Sequence, residues 1–507
     1  MAHQFNRNAS ALALAAAGAL ALVLGTAPAG AQSLRVASSD FSPQRGVPSS
    51  GARQNLYAME TLYDGLTTVD GKGVARPRLA ESWSITDDKK VWRFKLRPNV
   101  TFHNGQPLNA DAIVATANYL LSDDGKRVMG GIYSNLRTLA GARKVDDQTV
   151  EIITVAPDPI LPNQIAALYV IEHKAYAELG TGGFGLKPVG TGSFQAVNWG
   201  DNEIELKRYD KAWNPPKVDG IKLVNIPEVP SRALAVTSGQ VDIALTLNKD
   251  DRAQIERSGS KMYAEYAPSV NIIVLNTARS EQLKDKRVRQ AFNYAIDKGF
   301  AKALFGDGAK AAGQPAASTV RGYQDDIKPY PFDVAKAKAL MAEAGYPNGF
   351  SLVMEAQGNV GTKEAYEFAA QSLQAIGVTM EYRVVTTADL IARINGAKPW
   401  ESAAFGMNFG AAPIGDVMRP VNSYHSCAHP QKWTCYEDME PLRQMINTEF
   451  DEKKRDAGLR QLAQRYHEDP PVIYLEETVA YHAHSAKIGG FKSENFLIPW
   501  AAVTLAR

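Results

Sequence analysis

Residues 91–114 read VWRFKLRPNVTFHNGQPLNADAIV, and the hydrophobic pattern changes period inside them. Val91, Trp92, Phe94 and Leu96 stand against Arg93, Lys95 and Arg97, the pattern of a half-buried strand. The Asn104-Gly105 pair then marks a turn. Beyond it, PLNADAIV opens a helix with Asn109 at the N-cap and Asp111 in the first turn, where a negative charge suits the helix dipole. A strand followed by a capped helix is the unit of a mixed α/β chain. His103 falls within the turn, and a histidine in a loop raises the question of a catalytic or metal role.

The same alternation of signals runs outward in both directions. LRVAS after Gln32 reads as a strand, and ARQNLYAMETLYDGL places Leu56, Met59, Leu62, Tyr63 and Leu66 at helical spacing. TVEIITVA, EIELKRY, GIKLVNI, VDIALTL and the strongly apolar SVNIIVLNT read as strands. DKRVRQAFNYAIDKGFAKALF reads as one amphipathic helix carrying Val288, Phe292, Ala295, Ile296 and Leu304 on one stripe, its basic residues at 284–290 on the solvated face. In FDVAKAKALMAEAGYPNGF, Asp333 caps a helix, Gly345 suits its end and Pro347 blocks continuation. VIYLEE is a late strand. There is no internal repeat and no low-complexity linker.

Length and composition set the bounds. A chain of 507 residues exceeds one hydrophobic core and implies two or three domains. A net charge of +2 gives no electrostatic case for nucleic acid or an anionic membrane. The N-terminus differs from the rest. Arg7 precedes the apolar run LALAAAGALALVLG, and Ala29 and Ala31 form a small-x-small cleavage pattern, so residues 1–31 read as a signal peptide with cleavage before Gln32. No cysteine follows that run, so a lipid anchor is not expected. The mature chain is expected to be soluble and outside the cytoplasm.

The only cysteines are Cys427 and Cys435, in YHSCAHPQKWTC with His425 and His429. The spacing matches no usual zinc finger or ribbon, and export leads to an oxidising compartment, so a local disulfide is expected rather than a metal. Other nominal motifs carry little. GTGGFG at 180–185 matches G-x-G-x-x-G but lacks a preceding strand and reads as a flexible loop. There is no P-loop, no G-x-S-x-G and no H-E-x-x-H. His482 and His484 stand two apart without a visible third ligand. No cofactor is expected.

METLYDGL, ARPRLAESWSI, residues 91–114, KPVGTGSFQAVNW, VDGIKLVNIPE with SGQVDIA, KRVRQAFNYAID and YPFDVAKAKALMAEAGYPNGF occur in that order. Together they resemble the extracytoplasmic solute-binding proteins of ABC importers, the peptide, nickel and opine binding family. The resemblance runs from about residue 33 to the C-terminus. It implies an α/β fold of the large periplasmic binding protein class, two lobes on a hinge of two crossing segments, with an extra subdomain in lobe I. Lobe I is expected over 32–55, 185–267 and 478–507, the subdomain over 56–184 and lobe II over 268–477. Asn276 and VIYLEE are expected at the crossings, and His103 becomes scaffold of the outer subdomain.

The resemblance also implies a non-catalytic periplasmic monomer that delivers a ligand to an ABC permease in the inner membrane. The ligand-facing segment is PWESAAFGMNFGAAPIGDVMRPVNSYHSC, 399–427. Asp416 is the acidic candidate for a ligand amine, Arg419 for a ligand carboxylate. Trp400, Asn408 and Phe409 are candidates for a stacking face and an amide. Against them stands a structural reading in which Asp416 caps the next turn and pairs with Arg419. Peptide binders often carry an acidic residue earlier in this loop, where this chain has Ala411 and Ala412. A di- or oligopeptide leads as ligand, with an opine, a nickel complex or another small organic solute as the alternative. A chemoreceptor-docking sensor would use the same pocket. A secreted hydrolase would need a nucleophile–base pair or metal triad that the sequence does not display.

Overall fold

The structure is a computed structural model that describes residues 32–39, 45–49, 53–306, 308–358, 362–394, 396–429 and 431–506. The signal-peptide segment, 1–31, lies outside the described residues.

Two long strands, Lys261–Leu275 and Val472–His484, lie side by side at the centre of a ten-stranded sheet. Toward one edge come Ala404–Gly410, Ser351–Ala356 and Thr379–Val384. Toward the other come Ile243–Leu247, Ser33–Ser38, Gly220–Asn225, Glu203–Arg208 and Phe194–Trp199. The antiparallel pairing of the central strands is not continuous. Residues 261–266 face 479–484, residues 270–274 face 472–477, and the register shifts twice, between Tyr266 and Val270 and between Val270 and Ile272. The first shift spans Pro268, which has no N–H for the ladder. At the second, Asn271 alone opposes both Leu475 and Glu476, a bulge. A bulge turns a side chain across the pleat, and Glu476 thereby joins Asn271, whose Nδ2 donates to its Oε1 at 2.9 Å.

The break divides the molecule into two lobes with separate interiors. Lobe II packs both faces of its half-sheet. One face gathers Val270, Ile272, Trp400, Phe405, Trp433 and Tyr474, and the other gathers Ile273, Leu275, Phe292, Tyr366 and Ile473. Lobe I shares one large core with an outer four-stranded antiparallel sheet built from Ala80–Ile85, Val91–Leu96, Thr149–Thr154 and Leu139–Asp146. The alternation in 91–96 is realised there, with Trp92, Phe94 and Leu96 buried. Asn109 caps the following helix, Ala110–Leu121, by accepting from Ala112 N. Asp333 likewise caps Val334–Glu343 by accepting from Lys336 N, and Gly345 adopts φ +89° beyond its end.

His103 is a strut. Its Nδ1 accepts from Gly190 N at 3.3 Å and its Nε2 donates to Gly192 O at 3.1 Å. Burial pushes its pKa down to about 4, so the ring is neutral. The turn it holds needs its glycines: a Cβ on Gly190 would lie 2.2 Å from Leu62 O.

Four local expectations differ from the structure. Asn276 does not lie at the crossing. Its N–H donates to Ala403 O at 2.9 Å, at the far end of lobe II, because the strand continues five residues past Val270, to Leu275. The 285–305 segment is two helices, Lys286–Tyr294 and Phe300–Phe305, since Asp297 accepts from Gly299 N and starts a new turn. Arg289 is not on a solvated face. It is buried, pairs with Asp469 and donates to the carbonyls of Pro470, Leu283 and Lys284. Residues 181–186 are helical rather than a loop: Gly180 at φ +64° kinks the His173–Leu186 helix, and buried Phe184 anchors its second part against Tyr176.

Candidate functional site

The lobes meet along a seam formed by the loop after strand Ala404–Gly410. Within it, Ala411 N–H donates to Pro268 O at 2.8 Å, which ties the loop to the break in the crossing strand. Lobe I then takes its carbonyls one by one. Asn495 Nδ2 donates to Pro413 O at 2.8 Å, and Asn163 Nδ2 donates to both Ile414 O and Gly73 O at 2.8 Å. Gly415 and Gly73 touch so closely that a Cβ on Gly73 would lie 2.4 Å from Gly415 O. Ala412 packs against the lobe I core.

Beside Asn495, at the hinge end of this seam, lies a cavity of about 420 Å³. Tyr263, Tyr266 and Pro268 of the crossing strand line it, with Thr319, Ser493 and Asn495. Ser493 Oγ, Asn495 Oδ1 and Thr319 Oγ1 are buried atoms without a hydrogen-bond partner among the described residues. Its volume is within the range of small-molecule sites. Asp70 and Arg76 on the rim are paired with each other at 2.7 Å.

The sequence candidates occupy different places. Asp416 is 1 % exposed. Its Oδ1 accepts from Met418 N at 2.9 Å, closing the turn that leads into the Met418–Tyr424 helix, and its Oδ2 lies 2.9 Å from Arg455 Nη1. That second contact is an ion pair whose angle falls outside hydrogen-bond geometry. Asp416 therefore caps the turn, but its cation is Arg455 and not Arg419. Arg419 spans the lobes instead, with Nε donating to Asn135 Oδ1 at 2.8 Å and Nη1 to Gly410 O at 2.5 Å. Asn408 is exposed near the strand end. Trp400 is fully buried, stacked on Phe405 at 3.9 Å and edge-on to Trp433. Phe409 is buried and stacks on His425 at 4.5 Å. Of these residues Arg419 reaches the seam by its side chain, Asn408 is exposed, and Trp400 and Phe409 belong to the interior of lobe II.

Cys427 and Cys435 are bonded to each other, as expected. The neighbouring histidines are engaged. His425 Nδ1 pairs with Thr434 Oγ1 at 2.6 Å and His429 Nε2 with Ile394 O at 3.0 Å, and burial pushes the His425 pKa down to about 3. Among the described residues, no three His, Cys, Asp or Glu gather as metal ligands. His482 and His484 part company. His482 is fully buried, accepts from Thr246 N at Nδ1 and faces Glu265 at 3.0 Å through Nε2, while His484 Nδ1 faces Ser485 O at 2.9 Å.

Sequence reading missed Asn135, Asn163, Asn495 and Arg455. Each is a polar residue in an unremarkable stretch, and only long-range contact brings them to the 410–419 loop.

Comparison with known proteins places this architecture. The family described as "Bacterial extracellular solute-binding proteins, family 5 Middle" matches residues 75–434, which is 360 of 507 residues. The chain is similar to a glutathione-binding protein, GsiB, of Pectobacterium atrosepticum, at 27% identity over 85% of this chain and 86% of that one. It is equally similar to the dipeptide-binding protein of Escherichia coli K12, at 27% identity over 82% and 83%. Among solved structures, the fold matches the ABC transporter substrate-binding protein CtaP of Listeria monocytogenes with a TM-score of 0.82 at 21% identity, covering 94% of this chain and all of that one. No helix among the described residues is long and apolar enough to cross a membrane. The two-lobed fold, the crossing strands and the family match together show that this chain belongs to the bacterial extracellular solute-binding proteins of family 5.

Proposed function

We propose that this protein captures a small solute between its two lobes in the periplasm and hands it to an ABC permease in the inner membrane. The observation that carries this reading is the seam: a ligand-sized opening beside a loop that lobe I grips only when the lobes are together. Two strands broken at the same level let the lobes swing about residues 267–269 and 478, so the proposed lobe limits fall at 267/268 and 477/478. Binding would shift an open–closed equilibrium, and the permease would read the closed form. The chain would act as an exported monomer after removal of residues 1–31, without catalysis and without nucleic acid.

A peptide is the leading ligand, supported by the dipeptide- and glutathione-binding relatives. One observation favours a second reading. The only acidic residue of the 399–427 segment near the seam, Asp416, is committed to Arg455, and Ala411 and Ala412 stand earlier in the loop. A solute without a primary amine, such as an opine or an organic acid, would meet Arg419 and the seam amides instead.

A thermal-shift screen of residues 32–507 tests this. Peptides of two to five residues and glutathione run beside opines, nickel–histidine chelate and organic acids. A ligand at about 100 times its Kd stabilises by roughly 2.7 kcal/mol. A peptide hit supports the first reading, a hit only among the opines and organic acids supports the second, and no hit in any class contradicts solute capture.

A further inference from the structure

Away from the seam, the lobes touch at a second place. The helices Glu440–Thr448 and Glu452–Glu468 of lobe II are joined by a corner of three residues, Glu449–Asp451. From that corner Phe450 leaves its own lobe and packs against the lobe I core. Its ring lies 6.1 Å from that of Trp92 on the outer sheet, and Lys89 Nζ lies 5.5 Å from its centroid. Trp92 is itself fixed, since its Nε1 donates to Asp158 O at 3.1 Å.

One helical turn beyond the corner stands Arg455, 2 % exposed. Its Nε donates to Ile446 O at 3.1 Å, which ties it to the other helix of the corner. Its Nη1 faces Asp416 at the base of the seam loop. Its charge is also felt by Asp158 in lobe I, a carboxyl that burial pushes up to about 6 and that Thr138, Ile160 N, Gln164 and Arg455 pull the other way. The same side chain therefore ties the corner to the seam loop.

We propose that this corner is a closure latch: Phe450 holds the lobes together at the outer sheet, and Arg455 passes that docking to the ligand-facing loop through Asp416. The ring contacts of Phe450 are with Trp92 and Lys89 rather than with the 410–419 loop, so it would act on ligand binding by setting how often the lobes are closed. A positioning residue of this kind changes the closed population and the release rate of any solute. The inference rests on the hinged-lobe reading of the chain.

The test uses spin labels at Glu178→Cys in lobe I and Lys338→Cys in lobe II, both exposed helix positions, with the native cysteines protected by their bond. Inter-label distances are measured with and without a mixture of glutathione and di- to pentapeptides. The expected result is a short-distance population that Phe450→Ala lowers by about tenfold relative to the long one, the scale of losing one buried aromatic pair. Phe450→Tyr restores it, and Phe450→Ala raises hydrogen exchange in the 411–417 loop while the melting temperature of each lobe is kept. Two distances in the parent protein with no change in Phe450→Ala would overturn the latch and leave the hinge standing. One fixed distance in every sample would overturn both. A distance shift without faster exchange at 411–417 would overturn the role given to Arg455.

Discussion

The crossing strands bury an acid on each side of their break, and the two acids are treated differently. In lobe I, Glu265 receives Phe496 N at 2.8 Å, His482 Nε2 at 3.0 Å and Tyr57 OH at 3.2 Å. In lobe II, Glu476 receives Asn271 Nδ2 on Oε1, while Oε2 has no hydrogen-bond partner among the described residues. Lys298, the cation whose charge it feels, spends its Nζ on Tyr474 O at 2.5 Å. Both acids are about equally buried. The difference lies in satisfaction. Donors on both oxygens offset the cost of burying a carboxyl, whereas one with a bare oxygen in an apolar interior favours its proton. Burial accordingly pushes Glu476 up to about 7 and Lys298 down to about 7. Lobe I is locked by its acid, and lobe II carries a pair that titrates.

The largest effect is expected from breaking the satisfied acid. Glu265→Ala removes the buried acceptor shared by His482 Nε2, Tyr57 OH and Phe496 N, and chemical denaturation should show a loss of about 3–5 kcal/mol. A loss below about 1 kcal/mol would mean water enters and replaces the carboxylate.

The second prediction concerns pH. With its folded pKa raised, the stability Glu476 contributes is fully present below about 4.5 and is lost as pH rises toward 7. Lys298 acts oppositely: its folded pKa lies below the ordinary value, so its burial penalty is full below 7 and fades as pH rises from 7 toward 10.5. Urea midpoints of Glu476→Gln should therefore fall less than those of the parent between pH 4.5 and 7. Parallel curves would contradict the account of the unsatisfied oxygen.

Lobe II has a covalent restraint that lobe I lacks among the described residues. Replacing Cys427 and Cys435 together by serine should destabilise by about 2–3 kcal/mol, less than Glu265→Ala. Calorimetry that resolves the lobes should show the lower transition in lobe II. The smallest effect is at the seam. Asn163→Ala removes one amide contact made across the lobes, to Ile414 O and worth about 1 kcal/mol, together with one inside lobe I, to Gly73 O, and should weaken binding of the thermal-shift hit by roughly fivefold.

Much of the fold is legible in local patterns, because a strand in 91–96 or a cap at Asn109 or Asp333 depends on neighbours in sequence. The break in the crossing strands is not. Pro268 hints at it, but the bulge at Leu475–Glu476 exists only relative to Asn271, some 200 residues away. The site shows the same limit. The 399–427 segment is conspicuous through its glycines and aromatics, and its loop does form the seam. Which of its side chains face outward depends on partners the sequence does not reveal. Asp416 is claimed by Arg455, and Trp400 by Phe405 and Trp433. An aromatic or an acid in a loop reads as available until its distant neighbours are known.

Small-angle scattering of residues 32–507, with and without a saturating hit from the peptide and organic-acid screen, tests the central claim most directly. Capture between hinged lobes predicts a smaller radius of gyration on binding, with a scattering curve in the bound form that matches the closed structure. Saturated binding with an unchanged radius and an unchanged curve would contradict it.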